Sequence, residues 1–121
     1  MAELLWSAFS DEYADALEIQ CEALARFGIK YMEVRRADGK NVSEFTESEA
    51  KRIRKTLDAF GIGVSAVGSP LGKTLPSEAS AEQTERVFET AEILGAKYVR
   101  VFSFYLPEGA APERCRGEVL A

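Results

Sequence analysis

Three short stretches decide the reading of this chain: Phe27-Gly28-Ile29-Lys30-Tyr31-Met32, Phe60-Gly61-Ile62-Gly63-Val64-Ser65 and Leu94-Gly95-Ala96-Lys97-Tyr98-Val99. In each, a glycine follows the apolar residue that closes a helix-like stretch and precedes a strand-like run. Glycine suits the left-handed position just past a helix end because it has no Cβ. The glycines stand at 28, 61 and 95, so the unit recurs after 33 and then 34 residues. A helix-then-strand unit at this period predicts a parallel α/β array. A complete eight-stranded α/β barrel takes roughly 250 residues. The 121 residues here correspond to about half of one, ending after the fourth strand. The expectation is four parallel strands in sequential order and three complete helices on one outer side.

Outward from the junctions, the elements follow. Leu4 to Phe9 reads as the first strand, and Ser10 or Asp11 offers an N-cap. Ala14, Leu17, Cys21 and Leu24 share one helical face, which makes Cys21 a small core residue. The second strand runs from Lys30 to Arg35, and a loop covers Arg36 to Asn41. Thr46-Glu47-Ser48-Glu49 and Ser80-Ala81-Glu82-Gln83 are capping boxes. Ala50, Ile53, Leu57 and Phe60 form the apolar stripe of the second helix, with Lys51, Arg52, Arg54 and Lys55 on its solvated face. The third strand spans Gly63 to Val67, and Val87, Ala91 and Leu94 give the third helix its buried side. Tyr98 to Phe104 is almost continuously apolar, as in a strand covered on both faces. Pro112 suits the first turn of a fourth helix, cut off at Ala121.

Composition narrows the function classes. A net charge of −5 argues against nucleic-acid and anionic-membrane partners. No apolar run approaches the roughly 20 residues of a membrane span. The first residues lack the basic and apolar regions of a signal peptide. Cys21 and Cys115 lie far apart, outside any CxxC motif, which favours a reduced cytoplasmic setting. There is no histidine, hence none of the commonest general base or transition-metal ligand.

In parallel α/β folds, ligands bind at the carboxyl ends of the strands. Glu33 and Arg100 each lie five residues after their junction glycine, on alternate strands. Alternate strands share interior layers, so the two side chains are expected to pair, as a structural ion pair or as contacts to a polar substrate. Arg35 lies two residues nearer the exit of the same face and suits an anion or hydroxyl. Gly68-Ser69-Pro70-Leu71-Gly72-Lys73-Thr74 is not a P-loop: three residues separate its glycines, and Leu75-Pro76 follows in place of a helix. Lys73 and the loop amides remain suited to a small anion. Asp11 and Glu12 read as charges complementing a helix N-terminus.

Read in order, Ser7 to Glu12, Tyr31 to Arg35, Gly39 to Val42, Val64 to Lys73 and Tyr98 to Tyr105 resemble the first half of the sugar phosphate isomerase/epimerase family, the xylose-isomerase-like TIM barrels. The Gly-Ser-Pro-Leu-Gly-Lys loop and the Arg-Val-Phe-Ser-Phe-Tyr strand are the most specific parts. The resemblance implies an enzyme that interconverts aldose and ketose, or epimeric sugars, by proton transfer next to a carbonyl. It also implies a divalent metal (Mn, Mg, Zn or Co) in a full-length relative, held mostly by strands five to eight. No cofactor, metal ligand or catalytic residue is assigned within these 121 residues. The expected contacts to a sugar or sugar phosphate are Phe9, Glu33, Arg35, Ser69, Lys73, Arg100 and Phe102.

Two other readings stand beside this one. One is a non-catalytic half-barrel that binds a partner or itself. Its open edges and a largely apolar concave face, with Trp6, Val67, Phe102 and Phe104 exposed, would favour a homodimer completing a barrel. The other is the endonuclease branch of the same superfamily, against which the acidic charge and missing histidine count.

Overall fold

The three glycine junctions close in the same way. In the structure, a computed structural model that describes residues 2–120, Gly28, Gly61 and Gly95 take φ of +68°, +69° and +74°. The residue after each glycine donates its N–H five residues back: Ile29 to Leu24, Ile62 to Leu57 and Ala96 to Ala91, each at 2.9 Å. This bond satisfies carbonyls that the helix end leaves free and turns the chain toward the sheet.

The sheet has four parallel strands: β1 (Ser7–Ala8), β2 (Tyr31–Val34), β3 (Gly63–Gly68) and β4 (Val99–Arg100), in spatial order 1-2-3-4. Four helices accompany them: α1 (Leu17–Arg26), α2 (Glu47–Ala59), α3 (Ala81–Leu94) and α4 (Pro112–Leu120). The fourth begins at Pro112, where the sequence places the start of a fourth helix beyond the three complete ones. The architecture is that of an α/β barrel segment.

One core joins helices and sheet. Met32 and Val34 of β2, with Val64 and Val67 of β3, pack with Leu17, Leu24, Ile53, Leu57, Val87 and Leu94. Burying a side chain of this kind contributes about 1.5–3 kcal/mol. Cys21 is fully buried in this core, and burial, with help from Glu18, pushes its thiol up to about 11. The alternate residues Tyr31, Glu33 and Arg35 face the open side and stay half-buried. Curvature is visible there: Ser7 Oγ and Ser65 Oγ meet at 2.6 Å across the intervening strand β2. Side chains two strands apart touch only when a sheet curls toward them, as in a barrel layer.

Several local expectations are corrected. Helix α1 starts at Leu17, leaving Ala14 outside, because Ser10–Glu12 form a separate 3-10 turn. Its cap comes from a distance, with Asp38 Oδ1 accepting from the Leu17 N–H at 3.0 Å. Asp38 sits at the tip of a small antiparallel ribbon, Arg36–Ala37 with Lys40–Asn41, inside the expected loop. The Thr46–Glu49 capping box forms with both bonds at 3.2 Å. At α3, Ser80 Oγ accepts from the Gln83 N–H at 3.2 Å. Phe60 lies past the end of α2 and is exposed, so the stripe is Ala50, Ile53 and Leu57. Val67 is fully buried on the helix side, and the open face carries Tyr31, Glu33, Arg35 and Arg100 as well as aromatic rings; it is not largely apolar. Strand β4 pairs only through Arg100. Beyond it, the Phe102 N–H bonds to the Leu71 carbonyl and the Tyr105 N–H to the Thr74 carbonyl, both at 2.7 Å, so the chain leaves the sheet for the β3 loop. Val101 and Tyr105 are accordingly exposed.

Candidate functional site

The carboxyl ends of the strands carry a chain of cations and aromatic rings. Phe9 follows β1, Arg35 follows β2, Arg100 ends β4, and Phe102 lies just beyond. The Arg35 guanidinium lies 4.4 Å from the Phe9 ring centre. Arg100 lies 5.9 Å from the same ring and 4.8 Å from that of Phe102. Lys73 Nζ approaches the Phe102 ring at 5.6 Å. Such contacts draw on the negative face of the ring. Of the seven residues expected to meet a ligand, these five converge.

Arg35 is held in place by acids. Its Nε donates to Asp11 Oδ1 at 3.0 Å and its Nη2 to Glu12 Oε1 at 3.3 Å. The Asp11 hydrogen bond, ahead of every other influence, stabilises the charged guanidinium and raises its pKa. Asp11 and Glu12 therefore serve Arg35, a role that their sequence position as helix-end charges did not reveal. The turn that carries them is pinned from below by Gln20, which is buried. Gln20 Oε1 accepts from Ser10 Oγ at 2.9 Å, and its Nε2 donates to the Asp15 and Arg36 carbonyls at 3.1 Å. One buried amide thus ties the end of β1 to the end of β2. A polar residue on an otherwise apolar helix face was the only sequence signal for it.

Gly68 makes room for these side chains. A Cβ there would lie 2.7 Å from Arg35 Cγ and 3.3 Å from Glu33 Oε1. Gly72 serves close packing. At φ +80°, its Cβ would fall 1.9 Å from the Phe102 carbonyl oxygen. The loop and the Phe102 segment therefore lie backbone against backbone, which places Lys73 beside the ring.

Two expectations are corrected. Ser69 is fully buried, and its hydroxyl donates to the Arg100 carbonyl at 2.6 Å and accepts from the Leu71 N–H at 3.3 Å. It holds the framework and is not presented to a ligand. The Glu33–Arg100 pair does not form. The register between β2 and β3 shifts after Met32, so Glu33 pairs with Ala66 while Arg100 pairs with Gly68. Glu33 thus lies two residues deeper than Arg100. The Arg100 Nη2 donates instead to the Ser69 carbonyl at 3.3 Å, and its buried Nε has no hydrogen-bond partner among the described residues.

The residues present do not fit the divalent metal implied for a full-length relative. Asp11 and Glu12 are engaged by Arg35, and no group of three or more Asp, Glu, Cys or His side chains is placed to hold an ion among the described residues. Among the same residues, no helix is long and apolar enough to cross a membrane.

No family model and no curated protein matches the chain. Its fold is similar to a crystal structure of D-psicose 3-epimerase in the presence of D-fructose, with a TM-score of 0.65 and 15% sequence identity. The alignment covers 97% of this chain and 45% of that one, so the chain spans less than half the length of that protein. At this identity the likeness shows the fold, a parallel α/β barrel segment whose strand ends carry the cluster described above.

Proposed function

We propose that this chain is the substrate side of a sugar isomerase or epimerase barrel, and that it binds a small sugar, free or phosphorylated, at the carboxyl ends of its strands. The observation that carries this reading is the convergence of Phe9, Arg35, Arg100 and Phe102 from the ends of three strands, β1, β2 and β4, at the end where such barrels bind ligands. A sugar offers C–H faces to aromatic rings and hydroxyls to charged donors. The two rings supply the first contact and the two guanidinium groups the second. Glu33, half-buried on the same face, is an acceptor for a hydroxyl deeper in the groove. Likeness in fold to a sugar epimerase supports the reaction class, interconversion of aldose and ketose or of epimers by proton transfer next to a carbonyl. The proton-transferring groups and any divalent metal would come from strands outside these residues. The free thiols Cys21 and Cys115, both buried, suit a reduced cytoplasmic setting.

Titration of the protein with D-fructose, read by NMR, tests the binding. Saturable binding that weakens in Phe9→Ala supports it. Absence of binding would leave a half-barrel that meets only a partner chain. That second reading has its own support in the open edges β1 and β4 and in exposed Trp6, Val101 and Tyr105. Sedimentation showing a homodimer that dissociates on Trp6→Ser would favour it.

A further inference from the structure

We infer that a second copy of this chain completes the strand-end cluster, its Glu12 docking beside Lys73 and Arg100 where β4 of one copy meets β1 of the other. The inference rests on the self-associating reading above and names the contact that directs it. The two edges of the sheet are unlike. Asp11 and Glu12 stand just beyond β1. Asp11 is held closely by Arg35 at 3.0 Å, whereas Glu12 reaches Arg35 only at 3.3 Å and keeps 72% of its side chain exposed. At the other edge stand Arg100 and Lys73, which join no ion pair among the described residues and lie against the Phe102 ring at 4.8 and 5.6 Å. An accessible acid therefore marks one edge and unpaired positive charge the other.

Backbone and apolar groups match the charges. Each of β1 and β4 has a single strand neighbour, so each leaves a row of backbone donors and acceptors open. Trp6 precedes β1 and Val101 follows β4, and both are exposed. Parallel strands send their carboxyl ends one way, so β4 paired with β1 of another copy sets Lys73 and Arg100 next to the Glu12 of that copy. What each edge lacks is carried by the opposite edge of the same molecule, which is the condition for pairing with itself. A twofold axis makes the same contact twice and closes the ring at two copies. The sheet already curls as a barrel layer does, since Ser7 and Ser65 meet across β2. Four such strands from each copy make an eight-stranded barrel with no edge left open.

Sedimentation equilibrium of the chain, of Lys73→Glu, of Glu12→Lys and of the doubly exchanged variant tests the contact. The parent should be a dimer at micromolar concentration. Each single reversal sets like charges together at both interfaces and should raise the dissociation constant about tenfold or more. The double variant puts opposite charges across each interface again and should return to within about threefold of the parent. Both side chains are exposed, so the exchanges leave the core untouched. A parent that stays monomeric throughout the micromolar range would overturn the self-associating reading and the inference with it. A dimer indifferent to both single reversals would overturn the inference and leave that reading standing, as would losses that the double variant does not recover. Assembly beyond the dimer would overturn closure at two copies.

Discussion

Ser69 and Arg100 hold each other from both ends: the Ser69 hydroxyl donates to the Arg100 carbonyl at 2.6 Å, and the Arg100 guanidinium returns a bond to the Ser69 carbonyl at 3.3 Å. This reciprocal contact fastens the loop after β3 to the last residue of β4. The first bond is short and fully buried on the serine side. Ser69→Ala should therefore cost about 1–2 kcal/mol, because the Arg100 carbonyl and the Leu71 N–H both lose their side-chain partner. Urea unfolding of the two proteins measures it, and a difference near zero would mean that water replaces the hydroxyl.

Gly72→Ala should be more severe than its conformation alone explains. Gly72 and Gly109 share positive φ, +80° and +75°. A Cβ at Gly109 meets nothing within 4 Å, whereas at Gly72 it would overlap the Phe102 carbonyl. Gly109→Ala should cost about 1 kcal/mol from backbone strain alone. Gly72→Ala should cost about 2–4 kcal/mol and displace Lys73 from Phe102. Thermal unfolding of the pair separates clash from strain. Equal losses would show that the loop yields freely.

The two arginines should answer differently to the same change. Arg35→Met strands Asp11, whose side chain is only 13% exposed, and should cost about 1–2 kcal/mol. Arg100→Met removes a buried, unpartnered Nε and leaves no carboxylate uncompensated. Its stability should stay within about 1 kcal/mol of the parent, since deletion of an unsatisfied polar group offsets the lost long bond to Ser69. Chemical denaturation of both variants checks the order. A loss of several kcal/mol in Arg100→Met would restore a Glu33–Arg100 coupling that the register argues against.

Gln20→Leu should loosen the site without touching it. The side chain is 1% exposed, and its amide joins Ser10, Asp15 and Arg36. Leucine fits the space but leaves two carbonyls and a hydroxyl unmet, at a cost of about 2–3 kcal/mol. Hydrogen exchange should quicken in residues 10–16 more than in α2. Uniform quickening would point to a purely global effect.

Acid should erode stability through Glu49. Hydrogen bonds from Lys40 first, then from Thr46, lower its carboxyl from 4.5 to about 2. A folded-state pKa below the unfolded value stabilises above the unfolded pKa. That contribution is present above pH 4.5 and fades as pH falls toward 2. Urea midpoints across this window should fall more steeply in the parent than in Glu49→Gln. Parallel slopes would contradict it.

The helix ends, the strand order and the parallel sheet were legible in the residues because each rests on local chemistry. A glycine at +68° to +74° and an N–H bonded five residues back need only one helix end, and the three junctions repeat them. The Thr46–Glu49 box and the Leu17, Cys21 and Leu24 stripe are of the same kind. Phe9, Arg35, Lys73, Arg100 and Phe102 were found as strand-end residues, since a parallel sheet sends all its carboxyl ends one way. How they meet depended on contacts between distant segments. The shift between Met32 and Glu33 admits an extra residue of β3 and moves Glu33 out of the Arg100 layer, and no count along one strand reveals a bulge formed between two. Asp38 caps α1 across 21 residues, Gln20 joins two strand ends, and Leu71 draws Phe102 out of the sheet. Spacing along the chain brings residues to one face and one end of a sheet; which charge finds which partner there depends on register and on loop paths, and these exist only once the strands are paired.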